Sequence, residues 1–255
     1  MLFERIKHFI ISLLMQMKEK MNPPKMIHYS EIPIIINNFN RLEYLQKLLD
    51  GLEKRNYKNI IILDNQSTYP PLLEFYQTTK YRVEFLDKNY GYRALWKSGM
   101  YQEFKNNFFV YSDSDMEIIE ECPDNFMEYF RTVLLENKKC KKVGFSLKID
   151  DLPDSYTLKK DVLDWETQFY KNKVNDQLFR AQLDTTFAMY RPFSFKHTAS
   201  HIPLMYRTAF PYQIKHLPWY VDSSNISNEE KYYMKTTHVK SWANKLDEEI
   251  NQQNK

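Results

Sequence analysis

Apolar positions in the first half of the chain form continuous runs that alternate with helical stripes. Continuous runs of strand length occupy residues 32–36, 60–63 and 108–111. Residues 42–52 carry an apolar stripe with helical spacing, and 82–86 form a further short strand pattern. Strands that alternate with helices in this way predict an α/β domain whose mostly parallel central sheet is flanked by helices.

A polar turn follows each of these predicted strands. Asn-Asn-Phe-Asn-Arg follows the first at 37–41, Asp-Asn-Gln-Ser-Thr the second at 64–68, and Asp-Lys-Asn-Tyr-Gly the third at 87–91. In open parallel sheets the carboxyl ends of the strands meet at one edge, and ligands bind there. We therefore expect these turns to line one binding site.

The run 108–111 ends in Ser-Asp-Ser-Asp, which places Asp113 and Asp115 two residues apart at the tip of a buried strand. We call these two residues the acidic pair. Hard carboxylate oxygens suit Mg²⁺ or Mn²⁺, and such a cation keeps open positions for phosphate oxygens. A solvated turn or a helix cap would use the same residues, because acidic side chains are common after strands. The pair alone does not decide between these interpretations.

Composition and charge exclude several classes of protein. Hydrophobic residues make up 43% and charged residues 27% of the 255 residues, which indicates a globular chain. A net charge of +3 is too small for a dedicated nucleic-acid binder, but suits an anionic membrane surface or a phosphorylated substrate. The two cysteines have no metal-ligand spacing and favour a reducing compartment. With only 4 glycines, a glycine-rich phosphate loop is excluded.

The amino-terminal segment carries an apolar helical stripe with basic residues around it. Apolar side chains stand at positions 2, 3, 6, 9, 10, 13, 14 and 17. The stripe is too short and too interrupted to span a bilayer, and no signal-peptide cleavage site follows it. It predicts either a helix on a membrane surface or a helix docked on the domain or on a second copy. Asn-Pro-Pro at 22–24 ends it as a linker.

Four polar motifs resemble, in their order, the nucleotide-sugar half of a GT-A glycosyltransferase of the family 2 type. They are Pro-Ile-Ile-Ile-Asn-Asn-Phe-Asn-Arg at 33–41, Ile-Ile-Leu-Asp-Asn-Gln-Ser-Thr at 61–68, Asn-Tyr-Gly at 89–91 with Gly99, and Asp-Ser-Asp at 113–115. The resemblance covers roughly residues 32–120 and implies the Rossmann-like GT-A fold with a smaller acceptor-side region.

The resemblance also implies a nucleotide-sugar donor and a divalent cation, Mn²⁺ or Mg²⁺. Asp64 would receive the base, which is uracil in the best-known members, and the acidic pair would meet the ribose and the metal-diphosphate. The implied nucleotide-binding residues are Asn37, Asn40, Arg41, Asp64, Asn65, Arg93, Lys97 and Asp113. Arg93 and Lys97 are included because Leu-Trp-Lys at 95–97 replaces the family's Ala-Arg-Asn segment, and another residue must supply the positive charge. Locally, Asp64 could instead close an Asx turn and Asn40 cap a helix.

The second half follows the family pattern less closely. Its patterns predict strands at 143–149 and 183–191, a helix at 165–170, and a helix that opens at 227–230. Lys-Ile-Asp-Asp-Leu-Pro-Asp at 148–154 and His-Leu-Pro-Trp-Tyr at 216–220 are similar to bacterial glycosyltransferases that build surface polysaccharides. We therefore divide the chain into four parts. They are a helix and linker at 1–24, a nucleotide-sugar half at 25–120, an acceptor-side half of the same domain at 121–245, and a tail at 246–255.

Catalytic candidates come from this second half. His216 is a third metal ligand beside Asp113 and Asp115 if the chain follows GT-A enzymes with a late histidine, although lone histidines are often structural. Inverting transfer needs a carboxylate base. Asp222 ranks first because an aromatic pair precedes it, and Asp184 second because its strand should pass the donor. Glu230 ranks third because it completes a capping box with Ser227.

The expected function is metal-dependent transfer of a hexosyl or N-acetylhexosaminyl group from a UDP-linked sugar to a glycan or lipid-linked acceptor. We expect it in the cytoplasm, at the inner face of the membrane, with peripheral membrane contact through 1–22, a homodimer as a further possibility, and no nucleic-acid partner. A nucleotidyltransferase acting on sugar phosphates is the first alternative, but it should carry a glycine-rich loop. A non-catalytic membrane-associated assembly protein is the second, and it leaves the ordered polar motifs unexplained.

Overall fold

A mixed sheet of nine strands forms the centre of the computed structural model, which describes residues 2–194, 205–237 and 242–253. The described strands are β1 Ile34–Asn38, β2 Ile60–Asp64, β3 Arg82–Phe85, β4 Phe109–Asp113, β5 Met116–Ile118, β6 Lys142–Gly144, β7 Ser146–Leu147, β8 Lys173–Asn175, β9 Leu178–Arg180, β10 Ala188–Tyr190, β11 Met205–Thr208 and β12 Gln213–His216. The described helices are α1 Leu2–Met21, α2 Glu43–Lys54, α3 Pro70–Thr78, α4 Ala94–Lys97, α5 Tyr101–Phe104, α6 Phe126–Glu136, α7 Lys159–Glu166, α8 Asn228–Thr236 and α9 Trp242–Gln253.

The large sheet has the order β3-β2-β1-β4-β10-β6-β11-β9-β8, and its first four strands are parallel. Ile34 and Ile36 point to one hydrophobic cluster and Ile35 to another, and all three are fully buried. Side chains alternate along a strand, so a continuous apolar run is what a sheet covered on both faces requires. The α/β fold predicted from the sequence is confirmed.

A second sheet of three strands, β5-β12-β7, stands beside the first. β12 runs antiparallel to β5, and His216 pairs with Met116. This pairing brings His216 next to Asp115, which directly precedes β5 in the chain. Two residues about a hundred positions apart thereby share one edge of the fold.

Several predicted elements are divided in the structure. The sequence after Asn-Tyr-Gly predicts a helix through Met100, but the structure has α4 and α5 there, separated at Gly99, whose φ of +86° breaks a helix. The strand predicted at 143–149 becomes β6 and β7 in different sheets, and only Ala188–Tyr190 of the segment 183–191 is a strand. Within the described ranges, none of the helices is long and apolar enough to cross a membrane.

Candidate active site

A cavity of about 580 Å³ opens at the carboxyl ends of β1, β2 and β4. Asn37 of β1, Asn65 after β2 and both members of the acidic pair line it. A larger cavity of about 840 Å³ lies at the opposite edge of the sheet, near the start of β1, and contains none of these residues. The first cavity is therefore the candidate active site, and we call it the pocket.

Asp113 ends β4 and is held by the segment that precedes β10. The Asp113 backbone N donates to the Thr185 carbonyl O at 3.1 Å, and Thr185 Oγ1 donates to Asp113 Oδ2. Burial, and then the nearby Asp115 carboxylate, raise the pKa of Asp113 well above its usual value. A positive charge beside Asp113 would lower this pKa again, because it favours the ionised carboxylate.

Asp115 and His216 form the second half of this centre. His216 Nε2 lies 3.5 Å from Asp115 Oδ2. Although burial acts against it, His216 lowers the pKa of Asp115 below its usual value through its charge and a hydrogen bond. Asp115 Oδ1 and His216 Nδ1 are buried and have no hydrogen-bond partner among the described residues. Such unpaired buried atoms are costly unless a ligand satisfies them.

The residues present fit a divalent cation only in part. Asp115 and His216 offer an anionic oxygen and a ring nitrogen side by side, which suits Mn²⁺ or Mg²⁺. Asp113, the other predicted ligand, already accepts the Thr185 hydroxyl. Among the described residues, no three His, Cys, Asp or Glu side chains are arranged as a ready metal site. The three-ligand metal site stays a prediction.

Asn40, which the resemblance assigned to nucleotide binding, is a structural residue. Its φ is +52°, and its Oδ1 accepts the backbone N–H groups of Thr68 at 2.6 Å and Tyr69 at 2.9 Å. Its own backbone N donates to Ser67 Oγ at 2.9 Å, and its Nδ2 donates to Thr236 Oγ1 at 2.9 Å. Both ends of the amide are occupied inside the protein, and Asn40 does not line the pocket. We correct its assignment accordingly.

Arg41 does line the pocket, but its guanidinium is paired within the protein. Nη1 and Nη2 donate to Glu230 Oε2 at 2.7 Å and Oε1 at 3.0 Å, and both side chains are at most 3% exposed. The ring of Tyr233 lies 3.8 Å from Arg41 Cζ. Glu230 is thus the counterion that orients Arg41 and is unavailable as a base, which corrects its third rank among the catalytic candidates.

Helix α8 carries Glu230 and joins the loop after β1 through a second carboxylate. Glu229 accepts the backbone N–H groups of Leu42 at 2.7 Å and Glu43 at 3.0 Å, where α2 begins. The predicted cap at Ser227 forms, because its Oγ accepts the Glu230 backbone N–H at 3.1 Å. Two adjacent glutamates therefore fix the amino end of α8 against the nucleotide-site loop.

Asp64 and Asn65 lie together at the end of β2 but face differently. Asp64 Oδ2 accepts the Ser67 backbone N–H at 2.9 Å, which is the Asx turn that local chemistry allowed, and its side chain is buried outside the pocket lining. Burial raises the pKa of Asp64. Asn65 lines the pocket, accepts the Tyr90 backbone N–H at 2.7 Å and donates to the Gly91 carbonyl at 3.1 Å. Asn65 therefore holds the Asn-Tyr-Gly turn at the pocket.

Neither Arg93 nor Lys97 brings the expected positive charge to the pocket. Both side chains are exposed and neither lines the pocket, and Arg93 Cζ lies 5.1 Å from the Tyr92 ring centroid. Lys245, the last residue of the predicted acceptor-side half, lines the pocket. It comes from α9, a helix that the sequence pattern did not reveal.

The structure places Asp184, and not Asp222, at the pocket. Asp222 is exposed, lies outside the pocket lining, and accepts the Ser224 backbone N–H at 2.9 Å and its hydroxyl at 2.7 Å. Those hydrogen bonds lower the pKa of Asp222. Asp184 lines the pocket, one residue before the Thr185 that binds Asp113. The sequence placed Asp222 beside an aromatic pair, but its chain turns outward after that pair.

A family model described as glycosyl transferase family 2 matches residues 34–198, well over half of the chain. The chain belongs to glycosyl transferase family 2. This match confirms the resemblance read from the four motifs and the GT-A fold class expected from it.

Solved structures give more distant similarities to this family 2 chain. The crystal structure of S. aureus TarS is 16% identical over 64% of this chain, with a TM-score of 0.37, and the chain spans 28% of that protein. The 4-diphosphocytidyl-2C-methyl-D-erythritol synthase of Anaerococcus prevotii is 11% identical over 87% of this chain and 85% of that one, with a TM-score of 0.33. No curated protein matches the chain.

A buried lysine supports the Asp184 segment of this family 2 domain. Lys142 Nζ donates to the Asp184 carbonyl O at 2.9 Å and to the Tyr190 hydroxyl at 3.1 Å, and the residue is 3% exposed. Burial lowers the pKa of Lys142 to about 7. No sequence pattern indicates this role, because Lys142 ends a lysine-rich stretch that resembles a solvated surface.

This burial predicts a pH-dependent stability. Between about pH 7 and 10.5 the unfolded chain binds a proton at Lys142 that the folded protein does not, so the free energy of unfolding rises with pH in that range. Lys142→Met should remove this contribution, which is at most about 1.4 kcal/mol per pH unit. Urea unfolding of both proteins across this range measures the difference in slope. Parallel curves would show that Lys142 titrates normally in the folded protein.

Aromatic residues of the pocket also escaped the sequence patterns. Trp165 of α7, Tyr233 of α8 and Trp242 of α9 line it together with His216. Each sits on a different helix of the second half, and none shares a motif with the others. Only tertiary packing brings them to one surface.

Proposed function

We propose that this chain transfers a hexosyl or N-acetylhexosaminyl group from a UDP-linked sugar to a glycan or lipid-linked acceptor in surface polysaccharide synthesis. The observation that carries the proposal is the pair Asp115 and His216, which present unpaired buried atoms to a pocket at the strand ends of a family 2 domain. The nucleotide would lie along Asn37 and Asn65, which line the same pocket.

Each group in the pocket has a separate task in this proposal. Asp115 and His216, joined by Asp113, would hold Mn²⁺ or Mg²⁺, which would supply positive charge opposite the diphosphate leaving group. Asp184 would accept the proton of the acceptor hydroxyl in an inverting transfer. Arg41, oriented by Glu230, would present its unpaired buried Nε to the pocket.

Calorimetry with UDP tests the metal role. UDP should bind wild type in the presence of Mn²⁺ and bind much more weakly after EDTA treatment. Asp115→Asn should abolish the Mn²⁺-dependent part, because an amide cannot supply the anionic oxygen that a hard cation prefers. Asp154→Asn is the matched control, since this carboxylate is 99% exposed and outside the pocket lining. Equal UDP affinity with and without metal in wild type contradicts the proposal.

One face of helix α1 packs on the domain. Met15 is fully buried on this face, and Arg191 Nη1 donates to both carboxylate oxygens of Glu19 at 2.8 and 2.9 Å. Arg191 is 2% exposed, so this buried ion pair fixes the orientation of the helix. This face of α1 therefore docks on the domain, which is one of the positions predicted for the helix from the sequence.

The opposite face of α1 is apolar and exposed. Its members are each between 47% and 76% exposed, and they are Ile6, Phe9, Ile10, Leu13, Leu14, Met17 and Met21. Lys18 and Lys20 lie in the last turn beside them. An apolar face with flanking lysines is typical of a helix that lies on anionic lipid. We propose that this face binds the inner surface of the cytoplasmic membrane. The alternative partner for the same face is a second copy of the chain.

Vesicle sedimentation with all 255 residues present tests this face. Leu13→Gln combined with Met17→Gln should remove binding to anionic vesicles and leave UDP binding unchanged, because interfacial affinity scales with the apolar area buried in lipid. Leu135→Gln, an exposed leucine on α6, is the matched control. Unchanged vesicle binding would rule out this face, and loss of self-association without any vesicle binding would indicate a homodimer.

A further inference from the structure

An ion pair between two helices positions the outer rim of the pocket. Lys245 Nζ of α9 binds Asp161 Oδ2 of α7. Trp165 stands four residues after Asp161, and Trp242 three residues before Lys245, so each tryptophan lies on the same helix face as one partner of the pair. The pair thereby sets two tryptophans from separate helices at one opening.

The two tryptophans differ in how they are held. Trp242 meets the Trp219 ring edge-on at 5.9 Å, and Trp219, which is 2% exposed, lies 4.6 Å from the His216 ring. Trp165 contacts Phe169 edge-on at 5.8 Å, yet 53% of it is exposed. The pocket is therefore lined by one ring that packs toward His216 and by one accessible ring at its rim.

This aromatic lining belongs to the same pocket as Asp184 and the acidic pair. The strand-end residues Asn37 and Asn65 line the inner side, where the nucleotide is proposed to lie. The side formed by α7 and α9 is therefore left for the group that receives the sugar. Asp184 lines the same pocket as the strand-end side and the α7 and α9 side. A general base must lie in the pocket that holds the acceptor hydroxyl, and Asp184 meets this condition.

We propose that Trp165 and Trp242 form an acceptor subsite that stacks against a carbohydrate ring, an inference that rests on the proposed glycosyl transfer. Aromatic faces bury the apolar C–H face of a sugar, while Lys245, which lines the same pocket and is oriented by Asp161, supplies a donor for its hydroxyls. A charged pair beside the rings disfavours an acyl chain, because charge next to hydrocarbon is costly.

The position of α1 supports a carbohydrate over a lipid at this subsite. Arg191, which anchors α1, follows Tyr190, and Tyr190 pairs with Phe109 at the start of β4. The acidic pair lies at the other end of the same strand. The apolar face of α1 and the two tryptophans are thus at opposite edges of the sheet, so the subsite is not part of a lipid-binding surface.

Titration calorimetry with defined sugars tests the subsite. Methyl glycosides of glucose, galactose and N-acetylglucosamine, with chitobiose and octyl glucoside, are titrated into the full chain in the presence of UDP and Mn²⁺. At least one methyl glycoside or chitobiose should bind wild type, and Trp165→Ala should weaken it by ~10-fold, the equivalent of one well-packed aromatic contact. Trp165→Phe should recover most of that loss, and Phe210→Ala, which removes an exposed ring outside the pocket, should match wild type.

The remaining outcomes each contradict the subsite. No binding by any methyl glycoside or by chitobiose overturns it, and so does unchanged affinity in Trp165→Ala. Binding of octyl glucoside alone assigns the rim to an alkyl chain instead. UDP affinity measured on the same samples separates the two proposals. Metal-independent UDP binding contradicts the proposed function, whereas intact UDP binding with no effect of Trp165→Ala on sugars contradicts only the subsite.

Discussion

Asp184→Asn is expected to lower kcat by ~10²–10⁴-fold, the usual contribution of a positioned general base. Asp184 lines the pocket beside the segment that binds Asp113, and an amide cannot accept the acceptor's proton. The KM for the donor should change little, because the lost interaction belongs to the transition state. Release of UDP from a UDP-sugar that the wild type turns over, with the acceptor present, measures both constants.

Asp222→Asn is the matched control for this experiment. Its carboxylate is exposed and bonded to Ser224, so its loss should leave kcat near the wild-type value. A large loss in Asp222→Asn with an active Asp184→Asn would restore the ranking expected from the sequence. A raised donor KM in Asp184→Asn would instead assign it to the donor's hydroxyls. Activity in both variants would favour a retaining mechanism.

Glu230→Gln is expected to destabilise the protein by roughly 3–5 kcal/mol, the usual cost of breaking one side of a buried ion pair. The substitution leaves the Arg41 guanidinium, 3% exposed, without its counterion. It also breaks the Arg41–Glu230 contact, which joins α8 to the loop after β1. UDP binding should therefore weaken in the same variant. Urea unfolding at neutral pH measures the stability, and calorimetry measures the affinity.

Asp164→Asn provides the control for a charge change of the same kind. Asp164 pairs with Lys160 on α7 at 2.9 Å, and both side chains are at least 66% exposed. Exposed pairs at this spacing contribute little to stability, because water screens the charges and both side chains must be ordered. A similar small effect in both variants would mean that water reaches Arg41 and that α8 does not hold the nucleotide-site loop.

The sequence by itself determined the parallel half of the sheet and its ligand edge. The runs at Ile34–Asn38, Ile60–Asp64 and Phe109–Asp113 are strands in the predicted order. Strand formation there is decided locally, since each run is apolar on both faces and ends in a polar turn. The acidic pair followed from the same pattern, because its position depends only on where β4 ends.

The role of each candidate residue depended on contacts between distant parts of the chain. Asp115 meets His216 through β12, Arg41 meets Glu230 through α8, and neither contact leaves a trace in local spacing. Asp222 illustrates the reverse case, because its aromatic neighbours suggested a site that the backbone turns away from. A motif fixes residue types and local conformation. The packing of separate elements decides which side chains are buried, paired or open to a ligand, and that packing exists only in the folded chain.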